Sequence, residues 1–219
     1  SDEVVANTEV LYTTRYFPKP EQAPMLRWIQ LNSAGMNHAL HHPIVQAEDI
    51  MVTSASGIHA TNMAHYTIMM MLMFNYDMRN MLDRQAKAEW LPFGSFAPID
   101  MSEQTVGIVG YGSIGREVGR LCSEMGMTVL ASKRDVMKIA ELDEYTEPGT
   151  GDPTGDIPDR IYPSEAIESM AKDCDYLVLI VPLTDSTKHM INESVLEAMK
   201  ETAILINIAR GGVVDEKAL

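Results

Sequence analysis

Glycines at 110, 112 and 115 stand in the order Gly-x-Gly-x-x-Gly, directly after the apolar run Thr105–Val109 and before a helical pattern over residues 116–125. Strand, glycine turn and helix in that order answer the needs of a dinucleotide pyrophosphate. The first glycine permits a tight turn, and the second lets backbone amides approach the phosphates. The third lets helix and strand pack closely, while the helix N-terminus adds partial positive charge. Glycine-rich turns are common, so the flanks carry the weight. They make the segment Gly110, Tyr111, Gly112, Ser113, Ile114 and Gly115 a candidate cofactor cradle. A second candidate is Arg210, just past the apolar run 203–208. The C-terminal ends of parallel strands face the ligand crevice of such sheets. A planar guanidinium there grips a carboxylate with two parallel bonds and stays charged at any working pH. The bland reading of Arg210 is a surface residue before a Gly-Gly turn.

The elements that must position these groups alternate along the chain. Strand-like runs lie at Val10–Thr13, Trp28–Leu31 and 50–53, with a possible helix at 21–26. A helical pattern covers 60–88, with a break near Asn75. It holds Met63, Met69, Met70, Met71, Met73, Met78 and Met81, seven of the 17 methionines. Adaptable core or subunit contact explains them better than a peptide groove does. The segment Trp90-Leu91-Pro92-Phe93-Gly94 reads as a hinge, dividing a domain over 1–98 from a dinucleotide-binding domain over 99–219. Beyond the glycine turn, strands are expected at 128–131, 176–181 and 203–208, with helices at 164–170 and 193–199. This βαβ rhythm predicts an α/β fold with a doubly wound parallel sheet. Residues 141–159, rich in Gly, Pro, Asp and Thr, form a long loop, of the kind that is uncommon unless functional or mobile. Its acidic excess speaks against direct phosphate binding.

A net charge of -14 argues against nucleic acid or an anionic membrane as partner, since both select for basic patches. The longest apolar run, 68–74, is far too short to span a bilayer. Cys122 and Cys174 are too few for a disulfide framework and wrongly spaced for a zinc site, so no metal is expected and a reducing cytoplasm is the plain reading.

Three segments, VGIVGYGSIGREVGRL (106–121), YLVLIVPLTDSTKHMIN (176–192) and ILINIARGGVVDEKAL (204–219), resemble in order and spacing the D-isomer-specific 2-hydroxyacid dehydrogenase family. LNSAGMNHAL (31–40) and TSASGIHATNMAHYTIMMML (53–72) extend the resemblance over nearly the whole chain. It implies a Rossmann cofactor domain preceded by part of a flavodoxin-like α/β substrate domain, with a cleft between. It implies hydride transfer between a nicotinamide and C2 of a small 2-keto or 2-hydroxy acid. Arg210 would bind the substrate carboxylate and keto oxygen as the catalytic arginine. Backbone amides at Ala34, Gly35 and Met36 would meet the acid. Val181, Pro182, Ile208, Ala209 and Arg210 would line the cofactor.

The departures are informative. Relatives carry a catalytic histidine paired with a glutamate downstream of the arginine, and the sequence reaches Leu219 before either. The first strand of the substrate domain also has no counterpart before 4–13. The chain therefore reads as an internal, catalytically incomplete fragment of an enzyme that is a homodimer when whole. None of His38, His41, His42, His59, His65 and His189 has a carboxylate partner identifiable from sequence, so none is expected to be the general acid. Asn37 stands where relatives have Asp, and His65 where they have Glu.

Along the family pattern, the ribose-reading position is Lys133, flanked by Ser132 and Arg134. A carboxylate there would repel a 2′-phosphate, whereas a hydroxyl and two cations attract it, so NADP is favoured over NAD. Asp135 partly offsets that gain. The leading expectation is a glyoxylate or hydroxypyruvate reductase. Phosphoglycerate, formate or phosphite dehydrogenases share the pattern, and a dinucleotide-sensing corepressor of the same fold is the alternative from another class.

Overall fold

A computed structural model describes residues 2–92, 94–141 and 145–219. Phe93 of the expected hinge and residues 142–144 of the long loop lie outside the described residues. The chain forms two compact units, Ser1–His59 and Ala60–Leu219. The division into compact units falls after His59, and the domain boundary at 98/99 remains an expectation drawn from the 90–94 segment.

The first unit opens with α1 (Asp2–Ala6) and contains three parallel strands, β1 (Val10–Thr13), β2 (Trp28–Leu31) and β3 (Met51–Thr53), side by side in that order. Ile29 and Leu31 of β2 bury fully with Ala39 and Ile44, and Leu11 and Val52 pack against them. The helix expected at 21–26 is instead a single 3-10 turn, Pro20–Gln22. Pro24 disfavours helical backbone at the residue before it, and Ala23 turns away at φ -131.

In the second unit α2 (Ala60–Asn75) and α3 (Met78–Ala86) are separated at Asp77, whose φ of 43 is left-handed. The break expected near Asn75 is therefore present, at the end of α2. Five parallel strands follow: β4 (Thr105–Val109), β5 (Thr128–Ser132), β6 (Arg160–Tyr162), β7 (Tyr176–Leu179) and β8 (Ile204–Asn207). They lie in the order β6-β5-β4-β7-β8, so the chain reverses direction across the sheet at β4. This is the parallel Rossmann arrangement. β7 is buried along its whole length, as a strand covered on both faces must be.

Helix α4 (Ser113–Glu124) joins β4 to β5. Val118 and Cys122 turn from it into the core, and Ala64 and Met71 of α2 reach the same core. Of the α2 methionines, Met71 is fully buried and Met70 packs on the core, while Met69 is 46% exposed. α5 (Ile167–Ala171), entered through a 3-10 turn at Ser164–Ala166, and α6 (Glu193–Ala198) cover the opposite face of the sheet with Met170 and Val195. Between β5 and β6, by contrast, no helix forms among the described residues. Strand β6 extends the sheet between the expected loop 141–159 and the expected helix 164–170, where the sequence assigns no element.

Both cysteines are buried thiols. Burial pushes each up to about 12, with the neighbouring Asp173 adding to the effect at Cys174. No helix among the described residues is long and apolar enough to cross a membrane.

Candidate functional site

The glycine turn is built by β4 and α4. Gly110 leaves the strand at φ +106, a conformation that L side chains rarely adopt. A Cβ there would lie 3.0 Å from Val181 Cγ1 and 3.1 Å from the backbone of Ile180 and Val181, so the first glycine is also where the turn passes the end of β7. Gly110 and Tyr111 donate their amides to the Ser132 carbonyl at 3.0 and 3.3 Å, which draws the end of β5 alongside. At Gly115 a Cβ would strike the Gly110 carbonyl oxygen. Gly112 differs. It is the N-cap of α4, no side chain caps the helix, and a Cβ on it would meet nothing within 4 Å among the described residues. Open space therefore faces uncapped, outward-pointing amides at the positive end of a 12-residue helix. That is the form an anionic pyrophosphate requires, and these residues fit the group.

Tyr111 does not face this space. Its ring is buried against Gly119, where a Cβ would stand 3.0 Å from the hydroxyl, and the hydroxyl donates to Asp152 Oδ2 at 2.7 Å. Burial, reinforced by the Asp152 hydrogen bond and charge, raises the hydroxyl far above the ordinary tyrosine value. Asp152 also accepts the amides of Gly155, Asp156 and Ile157 at 3.0 to 3.2 Å. Arg116, 4% exposed, donates to the carbonyls of Asp152 and Ile139 and, through Nε at 3.1 Å, to Glu141 Oε2. Its guanidinium carbon lies 5.0 Å from the Tyr111 ring centre. Glu117, next along α4, receives Arg120 and the Gly151 amide at 2.6 Å. The acidic loop is thus fastened to α4 by a polar knot directly behind the glycine turn.

At the end of β5, Ser132 is buried and Lys133 hydrogen-bonds through its amide to the Tyr162 carbonyl at 3.0 Å. The Lys133 ammonium is paired with Glu141 Oε1. Burial pushes the Glu141 carboxyl up, but hydrogen bonds from Lys133 and Arg116 and the charges of both outweigh it, and the carboxyl sits below its ordinary value. Arg134 is exposed. The three residues expected to read the ribose are therefore unlike one another: one buried, one paired, one in solvent.

Arg210 follows β8, exposed, in extended backbone at φ -147. Its carbonyl accepts Asn207 Nδ2 at 3.0 Å and its Nη1 donates to the Ala209 carbonyl at 2.7 Å. Ile208 donates its amide to Leu179, which ties this end of β8 to the end of β7, ahead of Val181 and Pro182. In the first unit, the Ala34-Gly35-Met36 loop leaves β2. Ser33 Oγ donates to the Gly35 carbonyl at 2.9 Å, and the Met36 carbonyl accepts the amides of Ala39 and Leu40. Ala34 is exposed at its tip.

The histidines divide as well. His38 contacts the Thr14 carbonyl at 2.7 Å, while His42 stacks on Phe17 at 4.3 Å and adjoins His41 at 4.1 Å. His189 holds a left-handed φ of 53. His65, on α2, bears on Glu117. Burial raises Glu117, but Arg120, the Gly151 amide and the charge of His65 together bring it below its ordinary value. A glutamate at 65, the usual residue of the family pattern, would repel Glu117 instead. Sequence reasoning missed Glu141, Asp152 and Arg116. The available signal was an acidic loop opposite an arginine placed just after the third glycine.

Residues 68–219 match the family model described as D-isomer specific 2-hydroxyacid dehydrogenase, NAD binding domain. A glyoxylate reductase of Thermococcus kodakarensis is 40% identical over 124 residues, which is 57% of this chain and 32% of that protein. Among solved structures, a D-lactate dehydrogenase from Aquifex aeolicus complexed with NAD and lactic acid aligns with a TM-score of 0.72 at 25% identity, covering 100% of this chain and 61% of that one. An NADPH-dependent glyoxylate/hydroxypyruvate reductase from Sinorhizobium meliloti, in complex with NADP and sulfate, aligns at 0.74 with 21% identity, covering 97% and 62%. That last likeness speaks to fold alone. The chain spans about three-fifths of the length of these two structures.

Proposed function

We propose, for a chain that belongs to the D-isomer specific 2-hydroxyacid dehydrogenase family, that the whole protein is an NAD(P)-dependent oxidoreductase. It moves a hydride between the cofactor and C2 of a small 2-keto or 2-hydroxy acid of the glyoxylate or hydroxypyruvate kind. The observation that carries the reading is Gly112, where open space meets the uncapped N-terminus of α4. When bound, the nicotinamide supplies or accepts the hydride, and the chain's own residues bind and orient. The amides after Gly112 hold the pyrophosphate. Gly110, Val181 and Pro182, with Ile208 and Ala209, line the nicotinamide side. In the second unit Arg210 grips the substrate carboxylate and polarises the keto oxygen. In the first, the amides of the Ala34-Gly35-Met36 loop are donors suited to an acid. The glyoxylate reductase name of the Thermococcus relative supports the substrate class. Read from the sequence alone, the basic turn 132–134 suits NADP at the adenosine end, and the pairing of Lys133 with Glu141 weighs against it.

The exposed apolar residues Tyr66, Met69 and Phe74 of α2 support a homodimer, and two unpaired, buried cysteines support a cytoplasmic location.

Substituting Gly112→Ser separates fold from function. Serine is at least as good an N-cap as glycine, so its hydroxyl takes up the α4 amides and thermal stability holds or rises by a few tenths of a kcal/mol. Dinucleotide affinity, read by titration of nicotinamide fluorescence, falls sharply. Unchanged affinity in a folded Gly112→Ser protein overturns the cradle. In the active protein, Arg210→Lys lowers kcat/KM by about 2–3 kcal/mol in transition-state terms, through loss of the bidentate bond, with little change in cofactor affinity.

A further inference from the structure

We propose that Glu141 sets the cofactor choice of this protein, by neutralising Lys133 and so discriminating against a 2′-phosphate on the adenosine ribose. The inference rests on the dinucleotide reading of the glycine turn and concerns only its adenosine end. Lys133 directly follows β5, and its charge is the reason that end of the site looks suited to NADP. In the structure that charge is already spent. Lys133 Nζ is paired with Glu141 Oε1, and the two side chains are only 14% and 15% exposed.

Glu141 is not a passing neighbour. Its other oxygen, Oε2, accepts Arg116 Nε at 3.1 Å, so both carboxylate oxygens are engaged by different cations. Arg116 is fixed in turn by the carbonyls of Asp152 and Ile139, and Asp152 by the Tyr111 hydroxyl and three backbone amides. The carboxylate is therefore held on Lys133 by a buried arginine, and little rotamer freedom remains to be lost in keeping it there. A 2′-phosphate that approaches Lys133 must part it from this carboxylate. Arg116 then retains Glu141 nearby as a like charge in a poorly solvated place, where Coulomb repulsion is strong. A ribose with a free 2′-hydroxyl meets no such demand. Glu141 thus brings to the end of β5 the negative charge that the strand's own sequence lacks. Arg116 acts as the positioning residue, and Arg134 remains the exposed cation of the turn.

The test uses two small probes that report the adenosine end without nicotinamide chemistry, 2′,5′-ADP and 5′-AMP, titrated calorimetrically into wild type, Glu141→Gln and Glu141→Asp. Removing the charge in Glu141→Gln shifts the affinity ratio of 2′,5′-ADP to 5′-AMP in favour of the former by about tenfold or more, on the scale of one released ion pair. Glu141→Asp keeps the charge at a shorter reach and gives an intermediate ratio, which also serves if the glutamine variant does not fold. The NADPH to NADH affinity ratio follows the same order. Ratios equal in all three proteins, with 5′-AMP bound normally, overturn the role of Glu141 and leave the dinucleotide site standing. If wild type binds neither probe nor either dinucleotide, the site reading falls and this proposal with it.

Discussion

The two segments that lead from β4 to β5 and from β5 to β6 do the same topological work with opposite materials. The first is α4, a helix that buries Val118 and Cys122 as an apolar stripe on the sheet. The second has no helix among its described residues and is held largely by polar atoms, Asp152 and Glu141 against Tyr111 and Arg116 and the Gly151 amide against Glu117, with Ile157 packed on the core. Apolar burial is non-directional and yields by increments as methyl groups are removed. A buried polar knot is stable while every partner is present, and it fails abruptly when one is taken away, because the others remain desolvated.

The sharpest break in that comparison is Arg116→Met. Glu141 loses one of its two cations and the carbonyls of Asp152 and Ile139 lose their donor, a cost of about 3 kcal/mol in urea unfolding. A loss under 1 kcal/mol would mean the segment is held chiefly by its apolar contacts. Val118→Ala, in the apolar stripe, is expected to cost about 2 kcal/mol, from the two carbons removed and the space left behind. It should leave proteolysis of the 133–159 segment unchanged, whereas Arg116→Met accelerates it. Tyr111→Phe removes only the hydroxyl, and Asp152 Oδ2 keeps the Ile157 amide at 3.2 Å, so about 1 kcal/mol is expected.

The smallest effect is on pH. Glu117 lies below its ordinary value near 4.5 in the folded chain, so the stability it contributes is complete above that value and is lost as the pH falls below it. Glu117→Gln should flatten this part of the acid limb of a urea-midpoint profile. If the limb is unchanged between wild type and variant, the Arg120, Gly151 and His65 contacts do not favour the ionised form.

The same contrast explains what could be read in advance. The run Thr105–Val109 forms β4 at those bounds, and the glycine spacing marks the turn, because both depend on period and backbone freedom, which are local properties. β5 gains one residue over expectation, and β7 stops at Leu179 rather than 181 as the chain approaches Pro182. The ribose end is another matter. Lys133 finds its partner eight residues on, and Arg116 finds the same carboxylate across 25 residues, through a segment with no periodicity to announce the pairing. A basic tripeptide therefore looked like unpaired charge. β6 was missed because three residues, Arg160–Tyr162, are too few to show alternation and owe their strand to pairing with β5. The consequence of His65 was equally hidden, since Glu117 lies on another helix.

The buried thiols have a practical consequence. With Cys122 and Cys174 each pushed up to about 12, the reactive thiolate is on the order of one part in 10⁵ at neutral pH, before shielding by the core is counted. Alkylating reagents and mild oxidants should therefore pass the native protein by. Cys122 faces the core from α4, and Cys174 lies where a Cβ on Gly107 of β4 would collide with its sulfur. Neither can be reached until the central strand loosens from its cover. The rate of thiol labelling in native buffer then becomes a clock for the opening of the sheet, supplied by the chain itself without an added probe.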